Sequence, residues 1–392
     1  MGLKKSRPPH FLFVIFFSFL WWGCQSGKHG EKKNEGEGDY VSSVPVLYAK
    51  GFQIDHAREY TKVTIHNPWT KDRKPYAVYY LYKTDTIAPP PDGIKVKIPV
   101  TALAVNTFSY FEFLTLLGEV DVIRAVTDGF RVFNPVILQK METGEIIDLG
   151  DPFNPNVEKT MALKPQAIIN SAYAQMDSYS ERLIQAGFPI IYSLEWMENS
   201  PLARAEWIKL MAAFLDKEAM ADTLFSGIEG KYLALQEKVK EVSHTRSVMA
   251  GDNFQGTWYV PGGNSFNATL FRDARLDYYY KNNKESGSIG LDIESVLTQF
   301  GNVELWFGCE ADTYGELAEK DAKYLLLQPV KKRQVFNNHN RTTPSGGNDF
   351  FESAVANPDL MLSDLIKAAY PSLLPRYSFT YIKPLEETPA RE

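Results

Sequence analysis

Between residues 40 and 97 the apolar positions fall in short alternating runs: Val44–Leu47, Phe52–Ile54, Lys62–His66 and Tyr76–Tyr82. Asn67-Pro68 and Pro89-Pro90-Pro91-Asp92-Gly93 break the pattern between them. A period of two between strong turn formers predicts strands, so this stretch reads as a small antiparallel β extension. From Ile98 the rhythm changes. Apolar runs at Ala102–Val105, Ile123–Val126, Ala167–Asn170 and Ile190–Tyr192 predict strands. They alternate with helical patterns at Phe111–Leu117, Glu158–Ala162 and Ser178–Ala186, which stop at Gly118, before Pro165 and at Gly187. Strand, helix, strand at this spacing predicts a parallel sheet with helices on both faces.

Two helices follow, Ala205–Leu215 and Glu218–Val242. The second carries Met220, Leu224, Ile228, Tyr232, Leu235 and Val239 at steps of three and four. Its length would be roughly 37 Å at 1.5 Å per residue, enough to bridge two lobes. The α/β pattern then restarts at Ser247–Ala250 and continues through Leu270–Ala274, Ile293–Phe300, Val303–Phe307, Ala322–Leu327 and Gln334–Phe336. An amphipathic helix near Leu360–Ala369 closes it. The expected fold class is α/β: two parallel-sheet lobes joined by a single long helix, with a small N-terminal β extension. The boundaries are an extension at 40–97, a first lobe at 98–204 and linking helices at 205–245. A second lobe at 246–375 and a C-terminal tail at 376–392 complete the chain.

The first 39 residues bear on the compartment. Lys4, Lys5 and Arg7 precede an apolar run from Phe11 to Trp22 that is short for a bilayer span, which is the build of an export signal at 1–23. The run ends at Gly23-Cys24 and resembles the lipobox of bacterial lipoproteins, in which the cysteine becomes the lipidated first residue. Leu20 and Gly23 fit, while Trp21 and Trp22 are bulkier than usual there. Residues 24–39 are rich in Gly, Lys, Glu and Asn and read as a flexible tether. The expected product is exported and lipid-anchored through Cys24 at a membrane facing the periplasm or cell exterior.

The 392 residues and 44% hydrophobic content suffice to fill two cores. Twenty-one Tyr, 24 Phe and 7 Trp are more than cores alone require and suit a pocket for a large or flat ligand. The net charge of −6 becomes −9 without Lys4, Lys5 and Arg7, and such a chain lacks the basic footprint of a nucleic-acid binder. Cys24 and Cys309 form no disulfide framework, and Cys309 reads as a small buried residue at a strand end. The six His residues never fall at ligand spacing, so no protein-made metal site is expected. Gly-x-Ser-x-Gly, His-Glu-x-x-His and P-loop patterns are absent from the sequence.

Four blocks carry a resemblance. Ser109 to Gly118 has a Ser-x-x-Glu followed by an apolar turn and Gly. Val122 to Asp128 is a strand with a Thr-Asp loop. Gly150 to Glu158 ends in Asn-x-Glu and runs on through Leu163-Lys164-Pro165 into the strand from Ala167. Leu291-Asp292-Ile293-Glu294-Ser295-Val296-Leu297 opens a helix in the second half, with Asp292 where Ser is more usual. In this order and spacing, across about 98–371, they resemble the iron-siderophore and cobalamin family of periplasmic binding proteins, the substrate-binding subunits of ABC importers. The resemblance implies two α/β lobes joined by one rigid helix. It also implies that Glu158 and Glu294, one on each lobe, dock onto the permease dimer.

In α/β lobes, ligands sit beyond the carboxyl ends of the strands. Strand ends give Ser109, Tyr110, Phe130, Arg131, Tyr173 and Trp196 on the first lobe, and Phe254, Trp258, Phe307 and Arg341 on the second. Aromatics stack on corrin or catecholate faces, and Arg131 and Arg341 suit an anionic ligand. The expected function is capture of a ferric siderophore or related iron chelate and its delivery to the permease. No covalently bound cofactor and no chemical step are expected. A cobalamin or corrinoid carrier is the alternative within the family, and an exported hydrolase-type enzyme is the alternative outside it.

Overall fold

The computed structural model describes residues 40–71, 74–86 and 89–387. The export signal, Cys24 and the tether lie outside these residues. The extension is a five-stranded sheet in sequence order: Tyr40–Ser43, Phe52–Ala57, Thr61–His66, Pro75–Tyr82 and Ile94–Lys97. The first four strands pair antiparallel and the last pair is parallel. Ile54, Val63, Ile65, Tyr79 and Leu81 are buried in the same apolar cluster as the first lobe. The sheet is thus packed into that lobe, with the Tyr79 hydroxyl donating to the Ile190 carbonyl at 2.8 Å.

The expected strand Val44–Leu47 is a correction. This segment is irregular because its neighbourhood offers carboxylates in place of a ladder. Glu206 accepts from the backbone N–H groups of Leu47, Tyr48 and Ala49, and Glu198 from those of Lys50 and Gly51. A backbone donor has to be satisfied when buried, and an ionisable acceptor serves as well as a strand.

The first lobe holds a parallel sheet in the order Ile190–Ser193, Ala167–Ser171, Leu103–Val105, Ile123–Val126, Ile147–Asp148. The second lobe orders Asp277–Tyr278, Ser247–Ala250, Leu305–Phe307 and Val335–Asn337 in parallel. Lys383–Pro384 adds an antiparallel edge. The segment expected to be a tail is therefore a correction too. Asp364 accepts from the N–H groups of Thr380, Tyr381 and Ile382, and Tyr381 is fully buried. A separate antiparallel sheet of Asn253–Phe254, Thr257–Pro261 and Ser288–Leu291 was not expected from the pattern.

Between the lobes the expected helix Ala205–Leu215 is two shorter ones, Pro201–Ala205 and Ile208–Leu215. The next helix runs Glu218–Val239, 22 residues. Ala221 and Phe225 join the first core, while Tyr232 and Val239 join the second. Among the described residues no helix is long and apolar enough to cross a membrane.

Candidate functional site

Strand Ile190–Ser193 ends in a 3-10 turn, Glu195–Met197, and this turn is pinned from both sides. Glu195 points inward and accepts from the hydroxyls of Ser109, at 2.7 Å, and Ser193. Glu198 also points inward, and its Oε1 accepts from Lys50 N and Gly51 N, each at 2.8 Å, and from Trp207 Nε1 at 3.2 Å. With its acidic neighbours turned into the protein, Trp196 is left 38% exposed. Burial pushes the Glu198 carboxyl above its usual range, although the three donors oppose this.

Trp196 borders a cavity of about 610 Å³. The opposite wall is the carboxyl end of the second-lobe sheet: Ala250-Gly251, Phe307-Gly308 and Asn338. Gly251 has φ +86°, and a Cβ there would lie 1.8 Å from the Tyr259 carbonyl, so the strand end requires glycine. Two indoles brace this end from below, Trp258 Nε1 on the Ala250 carbonyl and Trp306 Nε1 on the Gly251 carbonyl. Tyr259, Phe266, Phe350 and Phe351 continue the lining. The site is therefore aromatic in character, concave, and set where α/β lobes receive ligands.

Among the described lysines and arginines, Arg204 lines this cavity. Its Nη2 donates to the Trp196 carbonyl at 2.7 Å, and its guanidinium lies 4.2 Å from the centre of the Phe266 ring. It thus joins the first-lobe turn to the second-lobe helix Phe266–Asp273. Burial lowers its pKa, while Glu195 and Glu198 oppose the shift.

Of the residues expected at the ligand, Trp196 and Phe307 line the cavity. Tyr173 lies beside Trp196, with ring centres 6.0 Å apart. Phe130 and Phe254 are exposed, 61% and 64%, and outside the lining. Three expectations are corrected by burial. Ser109 is spent on Glu195, Tyr110 is fully buried edge-on against Phe113, and Trp258 is fully buried between Trp306 and Tyr324. A side chain enclosed in this way presents no surface to a ligand. The two arginines are corrected as well. Arg131 pairs with Asp128 at 3.2 Å, and Arg341 with Asp349 at 2.9 Å, so each has an anionic partner within the protein. Neither lines the cavity.

Sequence reasoning passed over Arg204, which falls just before the expected helix Ala205–Leu215, and Phe266, Phe350 and Phe351. Their signal was present only as aromatics near helix starts. Glu158 and Glu294 are exposed in the first turns of helices Val157–Leu163 and Ile293–Phe300. Lys323 lies 2.9 Å from Glu294 and lowers its pKa by donating a hydrogen bond. Cys309 is buried, and burial pushes its thiol up to about 12, the state of an inert packing residue.

Two α/β lobes facing one another across an aromatic cavity define a solute-binding architecture. Residues 103–338 match the family described as periplasmic binding protein, and the chain belongs to that family. An uncharacterized lipoprotein of Methanocaldococcus jannaschii is 24% identical over 92% of each chain. A possible iron-binding, periplasmic solute-binding protein of Staphylococcus epidermidis has a TM-score of 0.53 at 17% identity, covering 69% of this chain and 99% of that one. A periplasmic heme-binding protein of Pseudomonas aeruginosa has a TM-score of 0.55 at 14% identity, covering 74% and 96%. At these identities the solved structures establish the shared fold.

Proposed function

We propose that this protein is the substrate-binding lipoprotein of an ABC importer and that its cargo is an iron chelate built on aromatic or conjugated rings. The observation that carries the reading is the cavity of about 610 Å³, lined by Trp196, Tyr259, Phe266, Phe307, Phe350 and Phe351. Flat aromatic walls favour flat ligands, through burial and ring stacking together. With Arg131 and Arg341 paired to carboxylates, a strongly anionic cargo such as a ferric tris-catecholate draws less support than an iron macrocycle of lower net charge. The iron-binding and heme-binding names of the two fold relatives agree with this.

In this reading lipidated Cys24 holds the protein at a membrane, and the exposed carboxylates of Glu158 and Glu294 meet the two permease subunits. Single carboxylates on separate lobes fix register and steer encounter. Capture and release need no covalent step.

The test is a tryptophan-fluorescence titration of the full chain with hemin, a ferric tris-catecholate and cyanocobalamin. Saturable quenching at one equivalent of an iron chelate, recovered intact, is expected. Saturation by cyanocobalamin alone would replace the iron chelate with a corrinoid, and silence towards all three would overturn the reading.

A further inference from the structure

The extension sheet precedes the region that matches the family, yet one of its turns meets Trp196, a residue that lines the cavity. Strands Thr61–His66 and Pro75–Tyr82 are joined by a turn opening Asn67-Pro68-Trp69. Asn67 sets its shape: Oδ1 accepts from Trp69 N at 2.9 Å, and the Asn67 N–H donates to the Lys74 carbonyl at 3.2 Å. The turn projects Trp69 towards the first lobe, where its ring centre lies 6.3 Å from that of Trp196 and 5.7 Å from that of Tyr76. Tyr76 is fixed in turn. Its hydroxyl donates to the Tyr173 carbonyl at 3.0 Å, and its ring meets Tyr192 edge-on at 5.0 Å.

Trp69, Tyr76, Tyr173 and Trp196 therefore form one contiguous aromatic surface. It lies at the carboxyl ends of strands Ala167–Ser171 and Ile190–Ser193, and Trp196 joins it to the cavity lining. Trp69 and Tyr76 pack partly against the first-lobe core, and the open part of this surface is Tyr173 and Trp196. The extension already buries Ile54, Val63, Ile65 and Tyr79 to attach itself, whereas Tyr173 stays 46% and Trp196 38% exposed although each touches another ring. Rings held rigidly and left partly open are the arrangement that receives a further flat ring.

We infer that the N-terminal extension is part of the cargo site, with Trp69 adding a wall that stacks on an exposed conjugated face of the bound chelate. This rests on the function proposed above and deepens it. The family-matching lobes enclose the body of the chelate, and the extension selects cargo whose outer face is flat. Trp69 is then a specificity-determining residue, positioned by Asn67 and Tyr76.

The experiment titrates wild type, Trp69→Ala, Trp69→Leu, Trp69→Phe and Phe254→Ala with hemin, a ferric tris-catecholate and cyanocobalamin, each protein first checked by thermal melt. Loss of a stacked ring is expected to weaken the bound chelate by about tenfold in Trp69→Ala, and by a similar factor in Trp69→Leu, which keeps apolar bulk without a π face. Trp69→Phe should stay within about threefold of wild type, and Phe254→Ala, exposed but away from the wall, should match it. If Trp69→Ala does not fold, Trp69→Leu carries the decision. Wild-type affinity in the leucine variant overturns the wall while leaving the carrier function intact. Failure of the wild type to bind any of the three overturns both.

Discussion

At the scale of single residues, the site is shaped by carboxylates whose oxygens are engaged by the protein's own donors. Glu198 is nearly buried and its Oε1 gathers three donors, two from the extension backbone and one from Trp207. Removing the acceptor would strand those donors, and each unsatisfied buried group costs roughly 1–3 kcal/mol. Glu198→Ala should therefore destabilise the protein by about 2–4 kcal/mol in urea unfolding and loosen the turn that presents Trp196. Glu198→Gln keeps an oxygen at the same place and needs no charge there, which suits a carboxyl already raised by burial. Its loss should be under about 1 kcal/mol. Equal losses in the two variants would mean that charge, rather than the acceptor, holds the turn.

At the scale of elements, the sequence is most readable where one local rule decides. Strand Ser247–Ala250 begins and ends where expected, because Val248, Met249 and Ala250 are buried on both faces of a parallel sheet. The helix bearing Glu158 is legible from Asn156, whose side chain accepts from Lys159 N at 2.8 Å and caps it. Asn156→Ala is expected to cost about 1 kcal/mol, read as a lower urea midpoint at unchanged slope. Glu158→Ala, two residues further on in the same first turn and exposed, should leave the stability within about a few tenths of a kcal/mol of wild type. A larger shift in the second variant would give Glu158 a structural task and weaken its assignment to docking. The three-stranded sheet was illegible for the opposite reason. Asn253–Phe254 pairs locally with Thr257–Pro261, but Thr257–Pro261 finds its other partner, Ser288–Leu291, across a long intervening stretch, and Ser, Gly and Asn within these strands hide the alternation. The cavity shares this character. Strand ends pointed to Trp196 and Phe307, but only the closed fold shows that Trp258 faces inward and that Arg341 is already paired. Asn67-Pro68 reads only as a break between strands, and the ring contact of Trp69 with Trp196 arises from a hairpin lying against a strand end more than a hundred residues away.

At the scale of the whole molecule, the lobes meet along the second-lobe segment from Arg341 to Asn357. Glu352 accepts from the N–H groups of Phe133 and, at 2.9 Å, Asn134, at the start of the first-lobe helix Pro135–Glu142. Asn357 Nδ2 donates to Glu112 at 3.0 Å, and Arg341 lies 5.3 Å from the centre of the Phe133 ring. Gly347 passes so close that a Cβ would sit 2.2 Å from the Val132 carbonyl. Burial pushes the Glu352 carboxyl up to about 7 from an ordinary 4.5. Asp349 and Glu112 push the same way, while the two N–H donors oppose them. Glu112 and Asp349 are themselves raised by burial, with Arg341 opposing both. A carboxyl that binds its proton more tightly when folded contributes stability that is full below about pH 4.5 and is lost as the pH rises through about 7. The contact between the lobes should accordingly weaken between pH 5 and 8. Glu352→Gln cannot ionise, although it gives up one of the two acceptor oxygens. The variant should start below wild type at pH 5 and gain on it steadily towards pH 8 in thermal melts. Parallel curves across that range would show that Glu352 holds the lobes through its hydrogen bonds alone, with no proton taken up when they meet.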